Sequence, residues 1–253
     1  MAEKNQTMER AVSILDCFTL EEPVLGVREA ARKAQLSSST AGRLMAALKE
    51  NGILIQDSET KAYMIGSKVL AWAEVYSANS DVRSIALPVM VGLQEQTRET
   101  ISLYVMEGND RVCVERLESP ETVRIVARVG RRIPLYAGSA GKVFLAFIPE
   151  SRRKELFEAI KLLPLTPRTI TDMDQLLLNL ERIRESGYAV SEGEWKLEAS
   201  GVAAPIFNRH SQIAAALTVS GPSQRFTQEK IQEIADVVKA AVARISMELG
   251  YPA

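Results

Sequence analysis

The chain has 253 residues, 46% of them hydrophobic, with 31 Lys and Arg against 32 Asp and Glu, a formal net charge of -1 and a mean hydropathy of -0.04. That is enough apolar material for two domains with separate cores, and it excludes a general attraction to nucleic acid or to anionic membranes, so any such contact has to be local. No stretch approaches a membrane span, the amino terminus lacks the basic and apolar regions of a signal peptide, and a cytoplasmic protein is expected. Cys17, on the apolar face of the first helix, and Cys113, in a strand-like run, are too sparse for a disulfide framework or a thiolate metal site and are expected in the core.

The first predicted element is a helix capped by Thr7, with Met8, Ala11, Val12, Leu15 and Phe18 along one face. Between Gly26 and Ile65 the pattern is that of a winged helix-turn-helix. Val27 to Ala34 is a short helix whose Ala30, Ala31 and Ala34 leave room for a second helix to cross closely. Gln35-Leu-Ser37 is the turn, Ser37 or Ser38 caps the next helix, and that helix runs to Asn51, where Gly52 stops it. Leu44, Ala47 and Leu48 are expected to face inward. Ser38, Ser39, Gly42, Arg43, Ala46 and Lys49 share the outer face, whose hydroxyls and Arg43 suit phosphates and base edges in a major groove. Ile53-Leu-Ile55 and Tyr63-Met-Ile65 then flank Asp57 to Lys61 as a wing. Residues 1–66 carry eight cations against nine acids. A single copy would therefore bind DNA weakly, because phosphate neutralisation supplies much of the affinity, and two or more copies are implied.

From Ser67 a linker helix follows without a loop, made bulky by Trp72 and Tyr76, which either pad a junction within the chain or pack on the same helix of a partner. A helix from Asp81 to Thr97 opens the second domain. Three strands are expected at Glu99 to Met106, Arg111 to Leu117 and Thr122 to Arg128, forming a meander. Helices follow at Gly138 to Phe147, Ser151 to Ile160 and Asp172 to Ser186. Strands resume at Tyr188 to Ser191, Val202 to Phe207 and Ile213 to Ser220, and a helix from Thr227 to Leu249 closes the chain. The irregular alternation suits an α+β sensor fold. The boundaries are residues 1–66, 67–79 and 80–253.

Catalysis has little to work with. His210 is the only histidine and lies in a polar turn, so no catalytic residues, metal ligands or cofactor are assigned. Gly138-Ser-Ala-Gly-Lys142 lacks the first glycine and the Ser or Thr of a nucleotide-hydrolysing phosphate loop. Its small residues either seat an anion on the N-H groups of a helix start or allow close backbone packing. Ser191, Ser200, Thr218 and Ser220 place hydroxyls beside apolar strand positions, as a small-molecule pocket needs.

Glu9-Arg-Ala-Val-Ser-Ile-Leu15, Glu29 to Thr40 with Arg43-Leu44, Tyr136-Ala-Gly-Ser-Ala-Gly-Lys142, Gly187-Tyr188, Ala203-Ala-Pro205 and Ser220-Gly-Pro222 together resemble the IclR family of bacterial transcription regulators over nearly the whole chain. The resemblance implies a winged-helix domain, a linker helix and a GAF-like (profilin-like) effector domain. It also implies dimers, often dimers of dimers, on double-stranded operator DNA near catabolic genes, with an organic acid or aromatic effector altering the spacing or affinity of the paired DNA-binding domains. Carried over by position, DNA contacts fall on Ser38, Ser39, Thr40 and Arg43, with Arg28 and Lys61 on phosphates. The effector pocket falls on Ile125, Ile133, Ser139, Ala140, Ser191, Ala199, Gly201, Thr218 and Ser220. Gly42 stands where a larger base-reading residue is frequent, Gln35 where a turn glycine is common, Ser191 where an acid is frequent and Gly201 where a Cys is frequent. The last two departures leave a roomier, less acidic pocket suited to an anion. The rival readings are an enzyme acting on a small acid, which a turnover assay separates, and a partner-binding adaptor, which predicts no salt-dependent DNA affinity.

Overall fold

The computed structural model describes residues 6–78, 81–125 and 128–252. The chain divides into two compact units, Met1–Asn79 and Ser80–Ala253.

In the first unit α1 (Gln6–Leu15), α2 (Val27–Lys33) and α3 (Ser38–Glu50) precede a hairpin of β1 (Leu54–Gln56) and β2 (Tyr63–Ile65), then α4 (Lys68–Ala78). The hairpin pairs Leu54 with Ile65 and Gln56 with Tyr63, and Leu25 adds a bridge to Tyr63. Ala30, Ala31 and Ala41 are buried where α2 meets α3, small enough for the close approach that the sequence suggests. Two details differ from expectation. On α1 the buried residue is Ile14, flanked by half-buried Ala11, Leu15 and Phe18, while Met8 and Val12 are exposed. The stripe 11, 14, 15, 18 follows the 3.6-residue period, and the core beneath accepts only its width. On α3 Ala47 is exposed and Ala41, Leu44, Met45 and Leu48 are buried, because Met45 fills the angle between the helices. Cys17 lies past the end of α1, half-buried, its thiol 3.1 Å from the Ser13 carbonyl, whereas Cys113 is buried. Gln35 takes φ 56°, the left-handed conformation for which a turn glycine is suited.

The second unit contains α5 (Asp81–Thr97), β3 (Thr100–Glu107), β4 (Asp110–Leu117), β5 (Arg132–Pro134), α6 (Ser139–Phe147), α7 (Glu150–Ala159) and α8 (Met173–Ser186). It continues with β6 (Ala189–Glu192), β7 (Ala199–Phe207), β8 (Ile213–Pro222) and α9 (Gln228–Glu248). The six strands form one antiparallel sheet in the order β5-β4-β3-β8-β7-β6, two meanders joined where β3 pairs with β8. On one face Met90 of α5 and Val238 of α9 pack with Leu103, Val202 and Val219. On the other, Phe144 of α6 and Leu180 of α8 pack with Tyr104, Ala203 and Ala216. This is an α+β architecture with helices on both faces of a curved antiparallel sheet. The third strand of the first meander is not at Thr122 to Arg128. Residues 121–123 form bends, 124–125 have no regular structure, 126–127 lie outside the described residues, and the strand paired with β4 begins only at Arg132, after Gly130 turns the chain at φ 82°. No helix among the described residues is long and apolar enough to cross a membrane.

Candidate functional site

The first candidate surface is the outer face of α3. Ser37 caps the helix by accepting from the Thr40 N-H at 3.2 Å and donates to the Thr40 hydroxyl at 2.8 Å. Thr40 is accordingly half-buried against the cap, while Ser38, Ser39 and Arg43 are exposed. Arg28 is exposed on the first turn of α2. Lys61 is exposed at the wing tip, its ammonium donating to the Ser58 carbonyl at 2.8 Å. Lys49, expected on the same outer face, instead reaches Gln56 of the wing at 2.9 Å. The wing turn is closed by Asp57, whose carboxylate accepts from the Thr60 N-H and hydroxyl and the Glu59 N-H. The Thr60 bonds are the main reason that its pKa lies below the usual carboxylate value. At Gly42 an added Cβ would meet Val27 at 3.4 Å, ordinary contact, so packing does not require glycine there.

The second candidate site is a narrow cavity in the other unit, with a free volume of about 20 Å³. Eight of the nine residues expected in a pocket line it: Ile125, Ser139, Ala140, Ser191, Ala199, Gly201, Thr218 and Ser220. The ninth, Ile133, is buried on the edge strand β5, paired with Arg111, and does not line the cavity. Ser191 and Ser220 flank Gly201 on neighbouring strands. An added Cβ at Gly201 would stand 3.3 Å from the Ser139 hydroxyl, so glycine leaves that hydroxyl uncovered.

The cavity also holds residues that pattern reading did not single out, chiefly Tyr104, Arg111 and Trp195. Arg111 is only 3% exposed. Its guanidinium lies over the Tyr104 ring, 5.2 Å from the centroid, and donates to the Ala137 carbonyl. Its Nε has no acceptor, and burial pushes its pKa below the usual arginine value. The same guanidinium fixes the two glycines of the Gly138 to Lys142 segment. Gly138 has φ 83°, and a Cβ there would stand 2.7 Å from Nη2; a Cβ at Gly141 would stand 2.8 Å from Nη1 and closer still to the Leu135 carbonyl. Close packing therefore explains the glycines, and the start of α6 still faces the cavity through Ser139 and Ala140.

Lys142 turns away into a buried ion pair. Its Nζ lies 2.5 Å from Glu194 Oε1 and 2.9 Å from the Val190 carbonyl, and Glu194 Oε2 accepts from the Gly138 N-H at 2.9 Å. Both side chains are more than nine-tenths buried. The pair ties the segment carrying Trp195 to the first turn of α6, and Arg131 covers the Trp195 ring at 5.0 Å. The Glu194 carboxylate also acts electrostatically on Arg111, opposing the lowering of the guanidinium pKa by burial. A usable signal existed: a cation inside the apolar run Arg111-Val-Cys-Val114 is unusual enough to mark a buried contact. His210 is exposed in the β7-β8 turn beside Arg209.

Two family models match the chain. The IclR helix-turn-helix domain covers residues 7–58, and the bacterial transcriptional regulator IclR C-terminal domain covers residues 75–247. The HTH-type transcriptional regulator KipR of Bacillus subtilis is 32% identical over 251 residues, 99% of this chain and 100% of that protein. The crystal structure of Thermotoga maritima IclR superposes with a TM-score of 0.81 at 33% identity, covering 98% of this chain and 100% of that one. An IclR homologue from Microbacterium hydrocarbonoxydans, crystallised with 4-hydroxybenzoate, gives a TM-score of 0.81 at 28% identity over 96% of this chain and 99% of its own.

Proposed function

Because the chain belongs to the IclR family of bacterial transcriptional regulators, it is a DNA-binding regulator and not an enzyme, and we propose that a small organic acid controls it. In this reading it acts in the cytoplasm on double-stranded operator DNA and governs a catabolic operon for the acid it senses. Ser38, Ser39, Thr40 and Arg43 meet base edges, and Arg28 and Lys61 meet phosphates. The near balance of charge over residues 1–66 leaves one copy short of affinity, so two copies bind together. The surface offered for pairing is α4, where Leu70 is 68% and Trp72 50% exposed. The same helix of a second copy would cover them, as a dimer or within a dimer of dimers.

One observation carries the choice of effector. The Arg111 guanidinium is buried at the start of α6, the positive end of a helix dipole, and its Nε lacks an acceptor. Glu194 opposes the cost of burying that cation electrostatically but makes no direct ion pair with it, and an arriving anion would add the contact. A carboxylate bonded to Arg111, to the Ser139 and Ala140 N-H groups and to the unpartnered Thr218 hydroxyl relieves that cost. Tyr104 and Trp195 supply flat walls for a ring, and the Microbacterium relative holds an aromatic acid. The test has two parts. DNA from just upstream of its own gene is expected to bind with a steep salt dependence. A thermal-shift screen of organic and aromatic acids is expected to find ligands that raise the melting temperature and change that DNA affinity. Acids that shift neither quantity would sink the effector assignment. Sedimentation of Trp72→Glu as a smaller species than the parent checks the pairing surface.

A further inference from the structure

A groove opens at the β6 edge of the sheet in the second unit, with a free volume of about 350 Å³ against about 20 Å³ in the cavity at the start of α6. Its origin is a mismatch of strand lengths. β6 pairs with β7 only from Ala189 opposite Ala203 to Glu192 opposite Ser200, so the stretch of β7 from Ala204 to Phe207 has no strand beside it on that side. Pro205 brings no N-H to this edge. The Phe207 N-H donates to the Ser246 hydroxyl of α9 at 3.0 Å, and that hydroxyl donates in turn to the Val242 carbonyl at 2.7 Å. An incoming strand would find no donor at either position, so the groove is unsuited to pairing with another backbone.

Its walls are apolar and largely aromatic. Phe147, at the end of α6, meets the Phe207 ring edge-on with centroids 5.5 Å apart, and Tyr251 stacks on Phe207 at 5.1 Å. Gly250, at φ 80°, turns the chain past the end of α9 so that Tyr251 folds back, its N-H donating to the Ser246 carbonyl at 2.9 Å. Val242, Ala243 and Met247 of α9 complete the surface, with Met247 57% exposed. Aromatic faces and an adaptable methionine suit an apolar guest.

Two cations and no acid line the groove: Arg184, in the last turn of α8, and Lys239 of α9. Arg184 gives its Nε to the Ala146 carbonyl at the end of α6, and its terminal nitrogens donate to nothing among the described residues. The Lys239 ammonium lies 5.5 Å from the centre of the Tyr188 ring and 3.5 Å from Asp236, an exposed acid one turn back on the same helix, so that pairing is weak. Glu248, the acid next to Met247, is held by Arg244 at 3.2 Å. The carboxyl ends of α6 and α8 lie beside these cations and offset part of their charge, each by about half a unit. What remains suits a single negative group.

We propose that this groove is a second ligand site, for an amphipathic monocarboxylate such as a medium-chain fatty acid. The apolar body lies on Phe147, Phe207, Val242 and Met247, and the carboxylate meets Arg184 and Lys239. A ligand-sized volume with apolar walls and a few polar groups at its rim is what such a guest requires. No lining residue is shared with the effector cavity proposed above, so the two readings stand or fall separately.

The experiment is calorimetric titration of the full-length protein with octanoate, with 1-octanol as its uncharged counterpart and butyrate as its short one. Octanoate is expected to bind about tenfold more tightly than 1-octanol, the worth of one charge-assisted hydrogen bond, and more tightly than butyrate. Arg184→Gln is expected to bring octanoate down to the level of 1-octanol, and Arg184→Lys to keep part of the difference. Ala243→Phe is expected to fill the groove and weaken both octyl probes about tenfold or more. Both positions are exposed, so the melting temperature without ligand is expected to hold in each variant. Octanoate binding that survives Arg184→Gln and Ala243→Phe unchanged would place the acid elsewhere and overturn the proposal, leaving the effector cavity untouched. Equal affinity for octanoate and 1-octanol, or no octanoate binding at all, would overturn it as well. So would sedimentation of ligand-free Ala243→Phe as a smaller species than the parent, which would seat a second copy of the chain in the groove.

Discussion

The two surfaces proposed for recognition are built on opposite principles. On α3 the residues proposed to meet DNA stand in solvent, where water satisfies them: Ser38, Ser39 and Arg43 are exposed, and the cap and wing turn close their own hydrogen bonds. In the second unit Arg111, Ser102 and Thr218 are each at most 5% exposed, and Arg111 Nε, Ser102 Oγ and Thr218 Oγ1 lack a hydrogen-bond partner. A solvated surface pays little for standing ready and gains affinity from many modest contacts. A buried, incomplete site is destabilising while empty, so a ligand that completes it changes the free energy of the whole unit. That difference suits a sensor, since only a ligand that binds one state better than another shifts a population.

The sharpest way to break the contrast is to disturb a buried charge that is already satisfied. Lys142→Met leaves Glu194 buried with only the Gly138 N-H, and a loss of about 3–5 kcal/mol is expected, read as a lowered midpoint in denaturant unfolding. A loss under about 1 kcal/mol would mean that charges in this unit are as well solvated as those on α3, and the contrast would fail. Next in size, Arg43→Ala is expected to weaken operator binding by about 1–3 kcal/mol per half-site and to flatten sequence preference, with the melting temperature unchanged because the side chain is exposed. Unchanged discrimination between operator and random DNA in a competition gel shift would remove α3 as the reader.

Gly42 sharpens the comparison from the other direction. Since a Cβ there meets only Val27 at contact distance, Gly42→Ala is expected to stabilise the first unit by up to about 1 kcal/mol through helix propensity, visible as a small rise in melting temperature. A destabilised variant would show that packing, not recognition, holds glycine at this position. The smallest expected effect is a protection. Burial pushes the Cys113 thiol from 9.0 up to about 11, so it stays protonated and sealed through pH 8. Iodoacetamide at that pH is expected to leave it unmodified in the folded protein, which peptide mass mapping checks. Because its folded pKa is raised, the associated stability is present below about pH 9 and is lost as pH climbs towards 11.

Sequence pattern reached furthest where structure is local. The α2-turn-α3 unit, a serine cap that the structure places at Ser37 rather than Ser38, the wing and most helices of the second unit follow from periodicity and turn chemistry, which act over a few residues. It erred where two periodic solutions competed, as on α1, where Ile14 rather than Val12 is buried, and where a polar run was taken for a strand, at Thr122 to Arg128. The pocket positions carried over from family resemblance line a single cavity except Ile133, but the residues with the strongest electrostatic consequences there, Arg111 and Lys142, were legible only as oddities.

The sequence by itself determined the winged helix-turn-helix and the order of most elements, because residue type and spacing are enough for those. The tertiary structure alone decided which charges share a space. Lys142 finds Glu194 across 52 positions, a separation that no local period encodes. Arg111 and Arg116 share a face only because the pairing of β4 with β3 slips by one residue at Val114. Side-chain direction in a strand is fixed by count from the last irregularity, and a bulge is set by the partner strand rather than by the residues that carry it.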